Sequence, residues 1–272
     1  MNKPEIKDYS LFLEQLKKCG DHRYPEADFE VDRFLGLLKY NHPFAYARFN
    51  DGECSVMAGN TGKIARGDQN YSSGLQEALI NSLMYKQENY FVGVPCQNCY
   101  PIFNQIVRKT LKGKHYDKHL VSAVALTNRN WRKFVCEFPK VIEDRTIIWV
   151  GGKDQNIIPL LDIGISVLPF MSDNTPYQNK NTWDLYSTIK TDLTDYIETV
   201  GVEELKEINS TFCISLGPVS RILVCELFKL YPDLTFLDMG SMFDPFTRNV
   251  WHKCHLGWET GFNIQNRCKV CN

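Results

Sequence analysis

The chain has 272 residues, of which 43% are hydrophobic and 23% charged. This composition excludes disordered, collagenous and coiled-coil proteins and fits a globular one. Lysine plus arginine (31) nearly cancels aspartate plus glutamate (32), for a formal net charge of -1. Bulk attraction to nucleic acid or anionic lipid is therefore not expected.

In chain order, MNKPEIKDYSLFLEQLKK at the start carries no apolar signal-type run. The longest apolar stretch, 157–171, is interrupted by Asp162, two prolines and a glycine and is too short to span a bilayer. A soluble, cytoplasmic protein without a transmembrane segment is expected. Apolar periodicity then predicts helices over 9–19 and 28–40, a strand over 44–49, a helix over 72–87 and a strand over 90–95. A helix over 102–111, a strand over 120–126, a helix over 130–138 and strands over 146–151 and 165–170 follow. The last predicted elements are a helix over 181–200, a strand over 211–216, a helix over 219–230 and a strand over 234–239. The strands are short, apolar and mostly bounded by Gly, Pro, Asn or Asp. Such alternation predicts one α/β, Rossmann-like domain spanning 1–272, with a mostly parallel sheet flanked by helices. Its core runs from about 40 to 246, and 247–272 form an irregular Cys-rich tail.

Ligands of open α/β sheets bind outside the carboxyl ends of the strands, so the residues after each strand carry the functional reading. After FAYARF come Asn50, Asp51, Gly52 and Glu53. If extended, Asp51 and Glu53 point to the same side, and two carboxylates with ligand phosphates are a usual seat for Mg²⁺ or Mn²⁺. Arg48 can reach a phosphate. A polar N-D-G turn with a solvated glutamate fits the same spacing. Gly151-Gly152-Lys153 can bring a lysine to a diphosphate, or leave it in solvent. Trp183 can stack on a base or sugar ring, or be buried. Gly217-Pro218 before a helix forms either a phosphate seat or a plain βα turn. Asp244 is either a general base or an Asx-turn residue before Pro245; Asp238, inside a strand, reads as structural. No G-x-G-x-x-G or Walker lysine motif is present.

The segment ARFNDGE resembles the R-F-G-D-G-E signature of the GT-D-type glycosyltransferases, with Asn50 in place of the usual Gly. Further similarities occur in the same order: Gln69, VGVP, Asn181 with Trp183, ISLGP and LDMGSMFDPF. The resemblance runs from about Tyr46 to about Phe246. It implies a hexosyl- or pentosyltransferase moving a sugar from a nucleoside diphosphate, usually UDP, to a glycan or other hydroxyl acceptor. On that resemblance Asp51 and Glu53 hold Mn²⁺ or Mg²⁺. Arg48, Asn50, Gln69, Lys153, Asn181, Trp183, Gly217 and Ser241 bind the donor, and Asp244 is the base beside the catalytic Asp51.

Ten cysteines complete the reading. Cys136, Cys213 and Cys225 sit in apolar or amphipathic runs and are expected in the core. Cys268-Lys-Val-Cys271 with Cys254 and the neighbouring histidines offers a structural Zn²⁺ site, and Cys96-Gln-Asn-Cys99 is a second C-x-x-C. A zinc-stapled module binding nucleic acid or protein, and a metal-dependent nucleotide phosphoesterase, are the alternative functions.

Overall fold

A computed structural model describes residues 25–60, 72–95, 103, 105–107, 120–123, 126, 131–152, 155–162, 164–170 and 182–248. The elements are α1 (Pro25–Lys39), β1 (Ala45–Arg48), α2 (Asp51–Met57), α3 (Ser73–Met84), β2 (Tyr90–Val94) and β3 (Leu120–Ser122). They continue with α4 (Trp131–Val141), β4 (Ile147–Gly151), α5 (Ile158–Asp162), β5 (Val167–Pro169) and α6 (Tyr186–Val200). The chain then forms α7 (Val202–Glu207), β6 (Thr211–Ser215), α8 (Val219–Leu230), β7 (Thr235–Asp238) and α9 (Asp244–Thr247).

Each of the seven predicted strands is present, and all pair in parallel in one sheet of order β3-β2-β1-β7-β6-β4-β5. The expected α/β class and helix-flanked parallel sheet are therefore found. Every residue of β1, β2, β6 and β7 is buried, as expected for strands covered on both faces. Alternation sends Ala45, Ala47, Phe212 and Phe236 to a core shared with α3, α6 and α8. It sends Tyr46, Cys213 and Leu237 to the opposite core, against α1 and α4.

Three local expectations change. Residues 51–57 are helical rather than extended, because Asn50 stands at the N-cap and Glu53, three residues on, accepts its N–H at 2.8 Å. Cys136 is exposed. Its helix α4 turns Phe134 and Phe138 inward, which leaves position 136 on the other side; Cys54, Cys213 and Cys225 are buried. Helix α4 also runs past Pro139 to Val141. The helix expected over 9–19 and the tail 249–272 lie outside the described residues. No helix among the described residues is long and apolar enough to cross a membrane.

Candidate functional site

The chain leaves neighbouring strands β1 and β7 in opposite directions. After β1 it enters α2, whose Cys54, Val56 and Met57 pack into the α8 side of the core. After β7, Met239, Met242 and Phe243 pack into the α1 side. A crevice at the carboxyl ends of the strands lies where two such connections part. Four buried charged side chains meet there: Arg48, Glu53, Arg221 and Asp238.

Asp238 is fully buried at the end of β7. Its Oδ2 accepts the Arg48 N–H at 3.1 Å, and its Oδ1 accepts the Gly240 N–H at 3.1 Å. Arg221, in the first turn of α8, brings its Nε to 2.9 Å from Asp238 Oδ2 and its Nη1 to 3.4 Å from Glu53 Oε1. It also donates to the backbone carbonyls of Arg48 and Gly217. Burial pushes the Asp238 carboxyl above its ordinary range, against the pull of Arg221 and Arg48. The four charges sum to zero, which is what lets them sit together out of water.

Arg48 reaches over the end of β7 and donates from Nη1 to Met239 O at 3.1 Å. Gly240 makes room for it: φ is +50°, and a Cβ there would stand 2.9 Å from Arg48 Nη1. The Nε of Arg48 is buried and has no hydrogen-bond partner among the described residues. Beside this cluster a hydrogen-bond chain links three strand ends. Trp149 donates to Gln155 Oε1 at 3.0 Å, Gln155 donates to Ser215 Oγ at 2.8 Å, and Ser215 donates to Gly240 O at 2.8 Å.

The other expected residues are placed as follows. Asn50 caps α2, and Asp51 is the first residue of that helix. Gly217 forms the β6–α8 turn at φ +60°, with open space where a Cβ would point. Ser241 lies in the turn after β7 and accepts the Asp244 N–H at 3.2 Å. Asp244 opens α9, is 1% exposed, and stands 3.5 Å from Arg248 Nη1. Trp183 is half-buried and stacked on Tyr186 at 5.1 Å, and it packs on Gly74. Gln69, Lys153 and Asn181 lie outside the described residues, as do both C-x-x-C pairs and the proposed zinc ligands. Arg221, Gln155 and Ser215 are the site residues that sequence reasoning missed. The available signal was that Arg221 and Asp238 are each an isolated charge in an otherwise apolar helix stem or strand; their pairing is visible only in the fold.

Among the described residues, no three His, Cys, Asp or Glu side chains gather as a metal site. Glu53 nevertheless suits a hard divalent ion shared with a ligand. An ionised carboxylate has about four lone-pair sites, and Glu53 uses one oxygen for Asn50 and the other for Arg221. One carboxylate, with phosphates and water completing the shell, is a coordination that Mg²⁺ or Mn²⁺ accepts; the extended geometry expected to aim Asp51 and Glu53 to one side is replaced by a helical turn, in which residues two apart do not face each other.

No family model matches the chain, and no curated protein matches it. Solved structures do. A structure of the highly conserved domain of unknown function 1792, described as having a distinct glycosyltransferase fold, is 18% identical with a TM-score of 0.57. The match covers 85% of this chain and 88% of that one. A new glycosyltransferase of the same domain from Streptococcus sanguinis is 17% identical with a TM-score of 0.58, over 82% of this chain and 85% of that one. The chain thus has the distinct glycosyltransferase fold of those structures, the fold to which its resemblance to GT-D-type enzymes points.

Proposed function

We propose that the protein is a metal-dependent glycosyltransferase that uses a nucleoside diphosphate sugar, with UDP as the leaving nucleotide, and a glycan hydroxyl as acceptor. The observation that carries this reading is the crevice between β1 and β7. It sets a buried arginine with a free Nε beside the Asp51–Glu53 helix, in a fold shared with glycosyltransferases. In the reaction the acceptor oxygen forms a bond to the anomeric carbon. The bond from that carbon to the diphosphate oxygen breaks, and the hydroxyl proton passes to a base.

Asp51 and Glu53 hold Mn²⁺ or Mg²⁺ in this reading, and the ion supplies neutralisation of the leaving diphosphate. Arg48 adds a charge-assisted donor to a phosphate oxygen. Asn50, Gln69, Lys153, Asn181, Trp183, Gly217 and Ser241 surround the nucleotide and sugar. Asp244 takes the acceptor proton in this reading; it is 1% exposed, so the acceptor must displace part of its cover to reach it.

Calorimetry with UDP and Mn²⁺, and with UDP in EDTA, tests the reading. UDP is expected to bind only weakly in EDTA, and Asp51→Asn is expected to remove transfer while leaving the melting temperature in place. Equal UDP affinity in both buffers overturns it. For the base, Asp244→Asn is expected to lower kcat about 10²-fold or more with donor affinity unchanged. A variant that loses donor binding but turns over fully at high donor makes Asp244 a binding residue instead.

A further inference from the structure

Arg221 gathers three segments of the crevice. It touches Glu53 on α2, the carbonyl of Arg48 at the end of β1, and the carbonyl of Gly217 in the β6–α8 turn. From behind it is held by Asp238 at 2.9 Å. Its neighbours on α8, Val219, Ile222, Leu223 and Val224, are all buried and apolar, so Arg221 is the one charged side chain in the buried first turns of that helix. A buried ion pair is weak evidence for stability, since a well-packed apolar replacement often does as well. A planar fork that meets a carboxylate and two carbonyls does, however, fix their relative positions.

We propose that Arg221 is a positioning residue for the donor site. It orients the Glu53 carboxylate and the Gly217 turn toward one point, and Asp238 orients Arg221. The cation affinity of Glu53 thus depends on a guanidinium that acts on the ion through that carboxylate. The inference rests on the metal-dependent donor reading above.

The test measures Mn²⁺ bound in the presence of UDP, from the electron paramagnetic resonance signal of the free ion, with no turnover required. Arg221→Lys keeps the charge and loses the fork. It is expected to raise the Mn²⁺ dissociation constant about 10-fold or more. In a Glu53→Gln background the same change is expected to matter by about twofold or less. Arg145→Lys, a buried arginine at the other end of the sheet, serves as the control for structural damage. It is expected to lower the melting temperature and leave Mn²⁺ affinity alone.

The proposal is overturned if Arg221→Lys affects Mn²⁺ affinity no more than Arg145→Lys does, or if its effect persists undiminished in the Glu53→Gln background. It is equally overturned if Glu53→Gln binds Mn²⁺ like the wild type. If Arg221→Lys does not fold, Asp238→Asn takes its place, with the same coupling to Glu53 expected. Wild-type protein that binds no Mn²⁺ with UDP overturns the donor reading and the proposal together. Wild-type binding with a silent Arg221→Lys overturns the proposal alone.

Discussion

Arg221 and Arg145 are both buried arginines at opposite ends of one sheet, and they are satisfied in opposite ways. At the amino ends of the strands, Arg145 spends all five N–H groups on neutral acceptors. Two go to Leu38 O, and one each to Asn41 Oδ1, Asn209 O and Thr211 Oγ1. Burial pulls its pKa down, with no carboxylate to oppose it. A cleft of about 420 Å³ lies beside it, bordered also by Asn41, Lys206, Asn209 and Asp233. Even so, Arg145 has no donor left for a ligand there. At the carboxyl ends, Arg221 and Arg48 are balanced by Glu53 and Asp238, and a buried donor of Arg48 is unused among the described residues. One end is a closed staple that ties α1 to β6; the other is a charge-balanced assembly with capacity to spare. Burial of an arginine is therefore a poor guide to function until its donors are counted.

Substitution can break or sharpen this contrast. The largest effect is expected for Arg221→Met, which leaves Asp238 and Glu53 without their cation; urea unfolding should show a loss of about 3–5 kcal/mol. Arg145→Met strands only neutral acceptors and should cost less, about 2–3 kcal/mol. Equal losses would mean that the carboxylates add nothing to the distinction. A smaller effect is expected for Gly240→Ala. Both Gly240 and Gly217 have positive φ, but only Gly240 is crowded by Arg48. Gly217→Ala should therefore cost about 1 kcal/mol from the left-handed backbone, and Gly240→Ala about 2 kcal/mol. Thermal unfolding that ranks them the other way would place the Arg48 side chain elsewhere.

The smallest effect calibrates the others. Lys190 and Glu226 form a half-exposed ion pair between α6 and α8 at 3.2 Å, and Lys190→Ala should cost about 0.5 kcal/mol. Burial raises the Glu226 carboxyl, but hydrogen bonds from Lys229 and Lys190 outweigh it and the net shift is downward. A lowered acid contributes stability above its unfolded value and loses it as pH falls through the folded one. The difference between wild type and Lys190→Ala should thus be full above pH 4.5, the ordinary glutamate value, and vanish in stronger acid. Urea midpoints across that range measure it.

Much of the scaffold was legible in the sequence because inner parallel strands, buried on both sides, are written as unbroken apolar runs such as FVGV and IIWV. Helix α8 was legible over its full length, 219–230, because its apolar face is continuous and Gly-Pro marks its start. Helices α2, α5, α7 and α9 have four to seven residues, too few for a 3.6-residue period to declare itself. In α2 the Glu53 that suggests one half of a metal pair also closes a capping box with Asn50, and the cap decides the backbone. The positions of Arg48, Asp51 and Glu53 at a strand end were readable. Their partners Arg221 and Asp238 were not, since only the strand order brings β7 and α8 alongside β1.

That strand order has a consequence for synthesis. Asp238 meets the Arg48 backbone across 190 residues, and β7 is inserted between β1 and β6. A chain emerging from the ribosome without β7 presents two inner strands with unpaired edges, the kind of edge that recruits other chains. It also carries two arginines whose main counter-ion has not yet arrived. Sheet closure and assembly of the crevice are then one late event, completed by four residues, Thr235–Asp238. Termination before β7 is expected to yield an aggregation-prone polypeptide rather than a folded domain of lowered stability.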